Sequence, residues 1–178
     1  MRSRGFGLGR STAGALLAVV LAAASVAAAP GAPYPLIGRP SPELLQHAVG
    51  SGASNFRLSE HRGEVVVLGF WTSWCGTCAD YLERLARLDG TYRAAGLIVA
   101  GVSLDDDPAR ALSALKSAGV KFPNGVDVAK LLGRRFAVED VPLTLLIDRD
   151  GIVRFAHGPL DGPTDASMLT EIRQLLDE

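Results

Sequence analysis

Cys75 and Cys78 are the only two cysteines in the 178 residues, separated by two positions in Trp74-Cys75-Gly76-Thr77-Cys78. A thiolate is the nucleophile of disulfide exchange, and a second thiol nearby can resolve the mixed disulfide it forms. That chemistry needs a setting that favours the first thiolate and holds the second thiol about one helical turn on. A helix N-terminus provides it, because free backbone N–H groups and the positive dipole end favour an anion. Trp74 would shield the pair and offer a substrate peptide an apolar platform. Three other uses compete. A zinc site needs two more Cys or His ligands, and His47, His61 and His157 are scattered without ligand spacing. A structural disulfide gains little from closing so short a loop. Copper(I) held by both thiols, helped by a histidine, would make a carrier rather than an enzyme. The expectation is a dithiol that works without metal or cofactor, with the copper carrier as the alternative.

Val141-Pro142 is the second feature, just ahead of the apolar run Leu143–Ile147. Proline is unwelcome inside a central strand but can begin one, and an X-Pro bond can be cis there. A cis bond would turn the Val141 backbone toward the cysteines and leave it free to pair with an extended substrate.

The elements that must position these groups are readable from periodicity. Val65–Trp71 is almost continuously apolar, which suits a strand buried on both faces. Ala79–Ala95 is predicted as a helix, with Tyr81, Leu85, Leu88 and Tyr92 on one face and Gly96 closing it. Leu97–Ser103 is a second buried strand. Asp107-Pro108 opens a helix whose apolar face is predicted to carry Ala111, Leu112, Leu115 and Ala118, ending at Gly119. A short helical piece follows Asp127 through Leu131 and Leu132. Leu143–Ile147 and Ile152–Ala156 read as a hairpin around Asp150-Gly151. Met168, Leu169, Ile172, Leu175 and Leu176 form the apolar face of a last helix. This order predicts an α/β domain with a mixed central sheet and helices on both faces.

Composition narrows the class further. At 48% hydrophobic and 21% charged residues, the chain is not disordered. A net charge of −1 lacks the basic excess that nucleic acid would demand. The first 29 residues hold Arg2, Arg4 and Arg10 but no acid, followed by an Ala-rich apolar run from Ala13 to Ala29. Residues 1–28 therefore read as a secretory signal peptide cut after Ala28, or else as an N-terminal membrane anchor. Without those three arginines, 15 basic residues face 19 acidic ones, a charge of −4. Residues 29–52, with five prolines from Pro30 to Pro42, read as a linker and irregular extension, and 53–178 as the domain. Tyr34, Leu36 and Ile37 are expected to pin the extension to it. The predicted location is extracytoplasmic, where thiols can be oxidised.

Phe70-Trp71-Thr72-Ser73-Trp74-Cys75-Gly76-Thr77-Cys78, followed about 60 residues later by Val141-Pro142-Leu143-Thr144-Leu145-Leu146-Ile147-Asp148, resembles the thioredoxin superfamily. Within it, the chain is similar to the extracytoplasmic TlpA/ResA-like thiol-disulfide oxidoreductases, which include reductases of cytochrome c maturation. The targeting segment, the lead-in Asn55-Phe56-Arg57-Leu58 with Arg62-Gly63, and an extra stretch between Leu104 and Arg135 fit that branch. The resemblance covers about residues 36–176. It implies a thioredoxin-like three-layer fold with an N-terminal extension and a central helical insert. It also implies Cys75 as attacking cysteine, Cys78 as resolving cysteine and Pro142 as cis-proline. The implied partners are exported proteins bearing a cysteine pair and a membrane dithiol electron donor, with the chain itself a monomer. Trp74, Gly76, Thr77, Val141 and the insert would form the surface that reads the substrate.

There are departures. Thioredoxins carry a buried carboxylate, the proton acceptor for the resolving cysteine, where this chain has Gly69. In the branch, an acidic residue of the insert lies near the site. Asp105 is the best positional match and Asp106 the next, although each could simply cap the following helix. Asp107 is read as that cap. Between the cysteines, Gly76-Thr77 lacks the histidine of strong oxidants, so a reductant or isomerase-like potential is expected. A peroxidase would frame one reactive cysteine with threonine and proline, which this motif does not do.

Overall fold

The computed structural model describes residues 34–47, 49, 55–159 and 165–178. The predicted targeting segment and part of the predicted linker lie outside the described residues. Among the described residues, no helix is long and apolar enough to cross a membrane.

In chain order the elements are β1 (Leu45–Gln46), β2 (Phe56–Arg57), β3 (Val65–Trp71), α1 (Cys78–Tyr92), β4 (Leu97–Ser103), α2 (Pro108–Ser117), β5 (Asn124–Val126), α3 (Leu131–Arg135), β6 (Leu143–Ile147), β7 (Val153–His157) and α4 (Asp165–Asp177). The main sheet runs β5-β4-β3-β6-β7. Strands β3, β4 and β5 are parallel, while β6 and β7 are each antiparallel to their inner neighbour. All of β3 is buried, as a doubly covered strand requires. The sheet is mixed and covered on both faces, as the element order predicts.

The two faces are covered unequally. Side chains of α1, α2 and α4 pack on one face against Val65, Val67, Val99 and Leu146. On the other, Val66, Leu68, Phe70 and Leu145 meet Phe136 from the end of α3, together with Leu44, Phe56 and Leu58. The packed domain thus begins before residue 53. Leu44 is fully buried, and Leu45–Gln46 pairs antiparallel with Phe56–Arg57 as a small separate sheet. Tyr34 donates its hydroxyl hydrogen to the Phe136 carbonyl, while Ile37 stays exposed.

Most boundaries agree with the periodicity, and the differences have local causes. Helix α1 starts at Cys78 and tightens into a 3₁₀ turn over Arg93–Ala95, closed by Gly96 at φ 92°. Asp107 caps α2 by accepting from the Ala109 N–H at 2.9 Å. Leu112 does not belong to the apolar face of α2, since it is 43% exposed, and Ala111 and Leu115 make the buried contact instead. Strand β7 starts one residue later than its pattern predicts, because the Ile152 N–H is taken by the Asp148 side chain at 2.8 Å.

Leu44→Ala tests whether the extension belongs to the core. It should destabilise the protein by about 2–5 kcal/mol, the usual cost of deleting a buried leucine side chain. An unchanged urea midpoint would show that the extension packs without contributing.

Candidate active site

The C-terminal ends of β3, β4 and β5 lie at one edge of the sheet, with Trp71, Ser103 and Val126 in register. Because β6 runs the other way, its first residue arrives at the same edge, Leu143 opposite Phe70. The loops leaving Trp71 and Ser103 and the loop entering Leu143 therefore converge. They carry Cys75, Asp105 and Pro142 respectively. This is how residues 30 to 67 positions apart in sequence reach one place.

Cys75 and Cys78 form a disulfide with their Cα atoms 5.3 Å apart. Cys75 sits on the turn before α1, and its carbonyl accepts the Cys78 N–H at 3.1 Å. The two sulfurs are unequal in access. Cys78 is 2% exposed, whereas Cys75 is half-buried. An incoming group therefore reaches Cys75 first. The Thr77 hydroxyl lies 3.6 Å from Cys75 Sγ, and the Val141 carbonyl oxygen lies 3.8 Å from it. The Val141–Pro142 bond is cis and Pro142 is buried. Trp74 is 69% exposed beside the pair, and Gly76 and Thr77 are also exposed. A groove of about 200 Å³ opens next to the sulfurs, with Thr72, Cys78, Leu82, Glu83, Ala114 and Ala118 among its walls.

The three consecutive acids separate into three jobs. Asp105 is 1% exposed and sits beneath the loop that leads to Cys75. It accepts the Ser73 N–H at 2.9 Å, the Ser73 hydroxyl at 2.7 Å and the Ser103 hydroxyl at 2.7 Å. These hydrogen bonds run to Ser73 and Ser103, neither of them a cysteine. Asp106 reaches out to Lys130 at 2.7 Å, and that hydrogen bond holds its carboxyl below the usual aspartate range. Asp107 is the cap of α2. Among the described residues, no group of three or more His, Cys, Asp or Glu is placed to hold a metal ion.

Gly69 shows a further role for Tyr81, which periodicity placed only on the apolar face of its helix. A Cβ at this position would lie 2.5 Å from the Tyr81 hydroxyl oxygen and 2.7 Å from Leu85 Cδ1. The space beside β3 is thus filled by a phenol from α1. That hydroxyl donates to the Leu143 carbonyl at 3.2 Å and shares a hydrogen bond with Thr144 at 2.9 Å. Burial pushes the phenol well above its ordinary value, and the Thr144 bond offsets this only in part. Its sequence signal was there: a lone glycine in a strand of large apolar residues, and a tyrosine three positions after the second cysteine.

A disulfide at the head of a helix, facing the backbone that precedes a strand-opening proline, places the chain among the thioredoxin-like proteins. Solved structures agree. The chain is similar to a DsbE-type thiol:disulfide interchange protein from Chlorobium tepidum, with TM-score 0.69 and 28% identity over 77% of this chain and 95% of that one. The chain belongs to the AhpC/TSA family, whose model matches residues 37–156. It is also 32% identical over 124 residues to the thiol:disulfide interchange protein DsbE of Escherichia coli K12, covering 68% of this chain and 65% of the relative. With the thiol-disulfide oxidoreductase ResA of Geobacillus kaustophilus it shares 29% over 117 residues, 60% of this chain and 67% of that protein. The chain thus spans a little under two thirds of the length of the E. coli relative.

Asp105→Ala should leave the half-buried Ser73 N–H without its acceptor, at a cost of about 1–3 kcal/mol in stability. Denaturant unfolding of the oxidised protein would measure it. A loss within a few tenths would mean that the loop before Cys75 is held by other contacts.

Proposed function

We propose that this protein is a thiol-disulfide oxidoreductase that reduces disulfides in other exported proteins. The observation that carries the reading is the unequal sulfur pair. Cys75 is accessible and faces the Val141 carbonyl, and Cys78 is buried directly behind it. In the reduced protein, the Cys75 thiolate attacks one sulfur of a substrate disulfide. A new S–S bond forms, the substrate bond breaks, and the departing sulfur takes up a proton. Cys78 then loses its proton and attacks Cys75. The mixed disulfide breaks, the substrate leaves as a dithiol, and the Cys75–Cys78 disulfide closes. Two electrons and two protons have passed to the substrate.

The cis geometry at Pro142 leaves the Val141 backbone beside Cys75, where an extended substrate chain can pair with it. Trp74, Gly76 and Thr77 complete the face the substrate meets. Asp105 supports the chemistry by holding Ser73, and so the approach to Cys75, rather than by taking a proton from sulfur. The basic and then apolar N-terminal segment supports an extracytoplasmic location. In an oxidising compartment a reductant must be recharged, which calls for a dithiol donor at the membrane. The names of the DsbE and ResA relatives support this class of reaction, and cytochrome c maturation is the setting we favour.

Cys78→Ala should trap partners covalently on Cys75, released by reductant and absent from a Cys75→Ser control. Wild-type protein should reduce insulin with dithiothreitol as donor, and Cys75→Ser should not. If no covalent complexes form and insulin stays oxidised, while Cu(I) binds the reduced protein with sub-picomolar affinity, the carrier reading takes over.

A further inference from the structure

Helix α1 and strand β6 each carry one half of the reactive site: the cysteines on one, the backbone around Pro142 on the other. The exchange mechanism needs the two halves in a fixed relation. A substrate chain must meet Cys75 and the Val141 backbone together. The tie between them is the Tyr81 hydroxyl. Tyr81 is 3% exposed and lies about one helical turn beyond Cys78 on the sheet-facing side of α1. Its oxygen reaches the carbonyl of Leu143, the residue after Pro142, and the hydroxyl of Thr144.

The notch that receives it is built by two neighbouring strands. Gly69 on β3 and Thr144 on β6 are directly paired, so their side-chain positions share one face of the sheet. Glycine leaves the room, since a Cβ there would overlap the phenol oxygen at 2.5 Å, and threonine supplies the partner. Burial keeps this phenol protonated across the range in which thiols titrate, so the tie holds at every pH at which exchange runs.

We propose that Tyr81 is a positioning residue: its hydroxyl fixes the segment around Pro142 against the cysteine helix and thereby sets the spacing between Cys75 and the Val141 carbonyl. The spacing has two chemical effects. When reduced, Cys75 can donate its S–H to that carbonyl, 3.8 Å away in the disulfide form, which favours the neutral thiol. The same carbonyl must stay in place for an extended substrate to pair beside the sulfur. Loosening the tie should therefore make Cys75 more acidic and substrate capture poorer. A hydroxyl that merely satisfied a buried helix–sheet contact would change stability alone.

The inference rests on the exchange mechanism for its kinetic arm only. Its primary test is the pH dependence of Cys75 alkylation by iodoacetamide in the reduced protein, with no substrate present. Tyr81→Phe keeps the ring and removes the hydroxyl. Its alkylation midpoint should fall, giving about a threefold faster rate at a pH below the midpoint, the size of a half-unit shift. With a disulfide peptide, KM should rise about tenfold while kcat changes little. Other charged groups near Cys75 are unaltered in this variant: Asp105 behind Ser73, Glu83 on the groove wall, and Asp140, which accepts the Val141 N–H. Should Tyr81→Phe fail to fold, Thr144→Val removes the Thr144 half of the tie while leaving the Leu143 bond, and should shift the midpoint in the same direction by a smaller amount. Thr144→Ser, which keeps a hydroxyl, should restore the wild-type midpoint. A folded Tyr81→Phe or Thr144→Val protein with a wild-type alkylation profile and only a lower unfolding midpoint would overturn the proposal. If wild-type protein fails to exchange disulfides at all, the functional reading falls, and the alkylation comparison still decides the role of Tyr81.

Discussion

Helix α1 lies against the sheet at the distance that Gly69 permits. Any side chain there would meet the Tyr81 hydroxyl and Leu85 Cδ1 at under 3 Å, and those side chains would have to give way. The cysteines are at the head of that helix, so their position depends on this contact as much as on the turn that carries them. The same contact brings the phenol onto β6, and β6 begins at the backbone that faces Cys75. One missing Cβ thus couples the fully buried central strand, the cysteine helix and the segment around Pro142. Overpacking at such a point costs about 1–3 kcal/mol in ordinary cores. Here it would also disturb the contact between the phenol and β6.

The site asks two things of the surrounding fold. One sulfur must be open and its partner closed, and the open one must have a backbone beside it. The first follows from the turn preceding α1, which leaves Cys75 half-buried while Cys78 enters the core. The second follows from topology, since only an antiparallel strand next to β3 starts where β3 ends. The acidic insert completes the frame. Asp105 anchors the cysteine loop from below, Lys130 joins Asp106 to the segment before α3, and Asp127 caps α3 through the Leu131 and Gly133 N–H groups at 2.9 and 2.8 Å.

The sequence showed the buried strands, the cysteine helix and the Cys75–Cys78 and Pro142 pair because each has a local signature: an apolar run, a 3.6-residue period, a spacing. What it did not show is set by distant partners. Periodicity says that Tyr81 is buried, but not that its hydroxyl stands where Gly69 leaves room. Position placed Asp105 near the site, yet its contacts with Ser73 could not be read from a run of three aspartates. Leu112 fits the apolar stripe of α2 and is nonetheless exposed, because α2 packs through Ala111 and Leu115 with Ala114 and Ala118 beside them. Leu44 hides in a proline-rich stretch that reads as linker, although it fills the core beneath Phe56.

We propose this protein as a reductant, since the Thr77 hydroxyl lies 3.6 Å from Cys75 Sγ and no histidine stands between the cysteines to hold a thiolate strongly. The measurement that tests it most directly is the reduction potential of the Cys75–Cys78 couple, by equilibration in glutathione or dithiothreitol buffers of known ratio. A potential below about −180 mV is expected, on the reducing side of protein disulfide isomerase and toward thioredoxin. A value near about −120 mV, that of a strong oxidant, would contradict it.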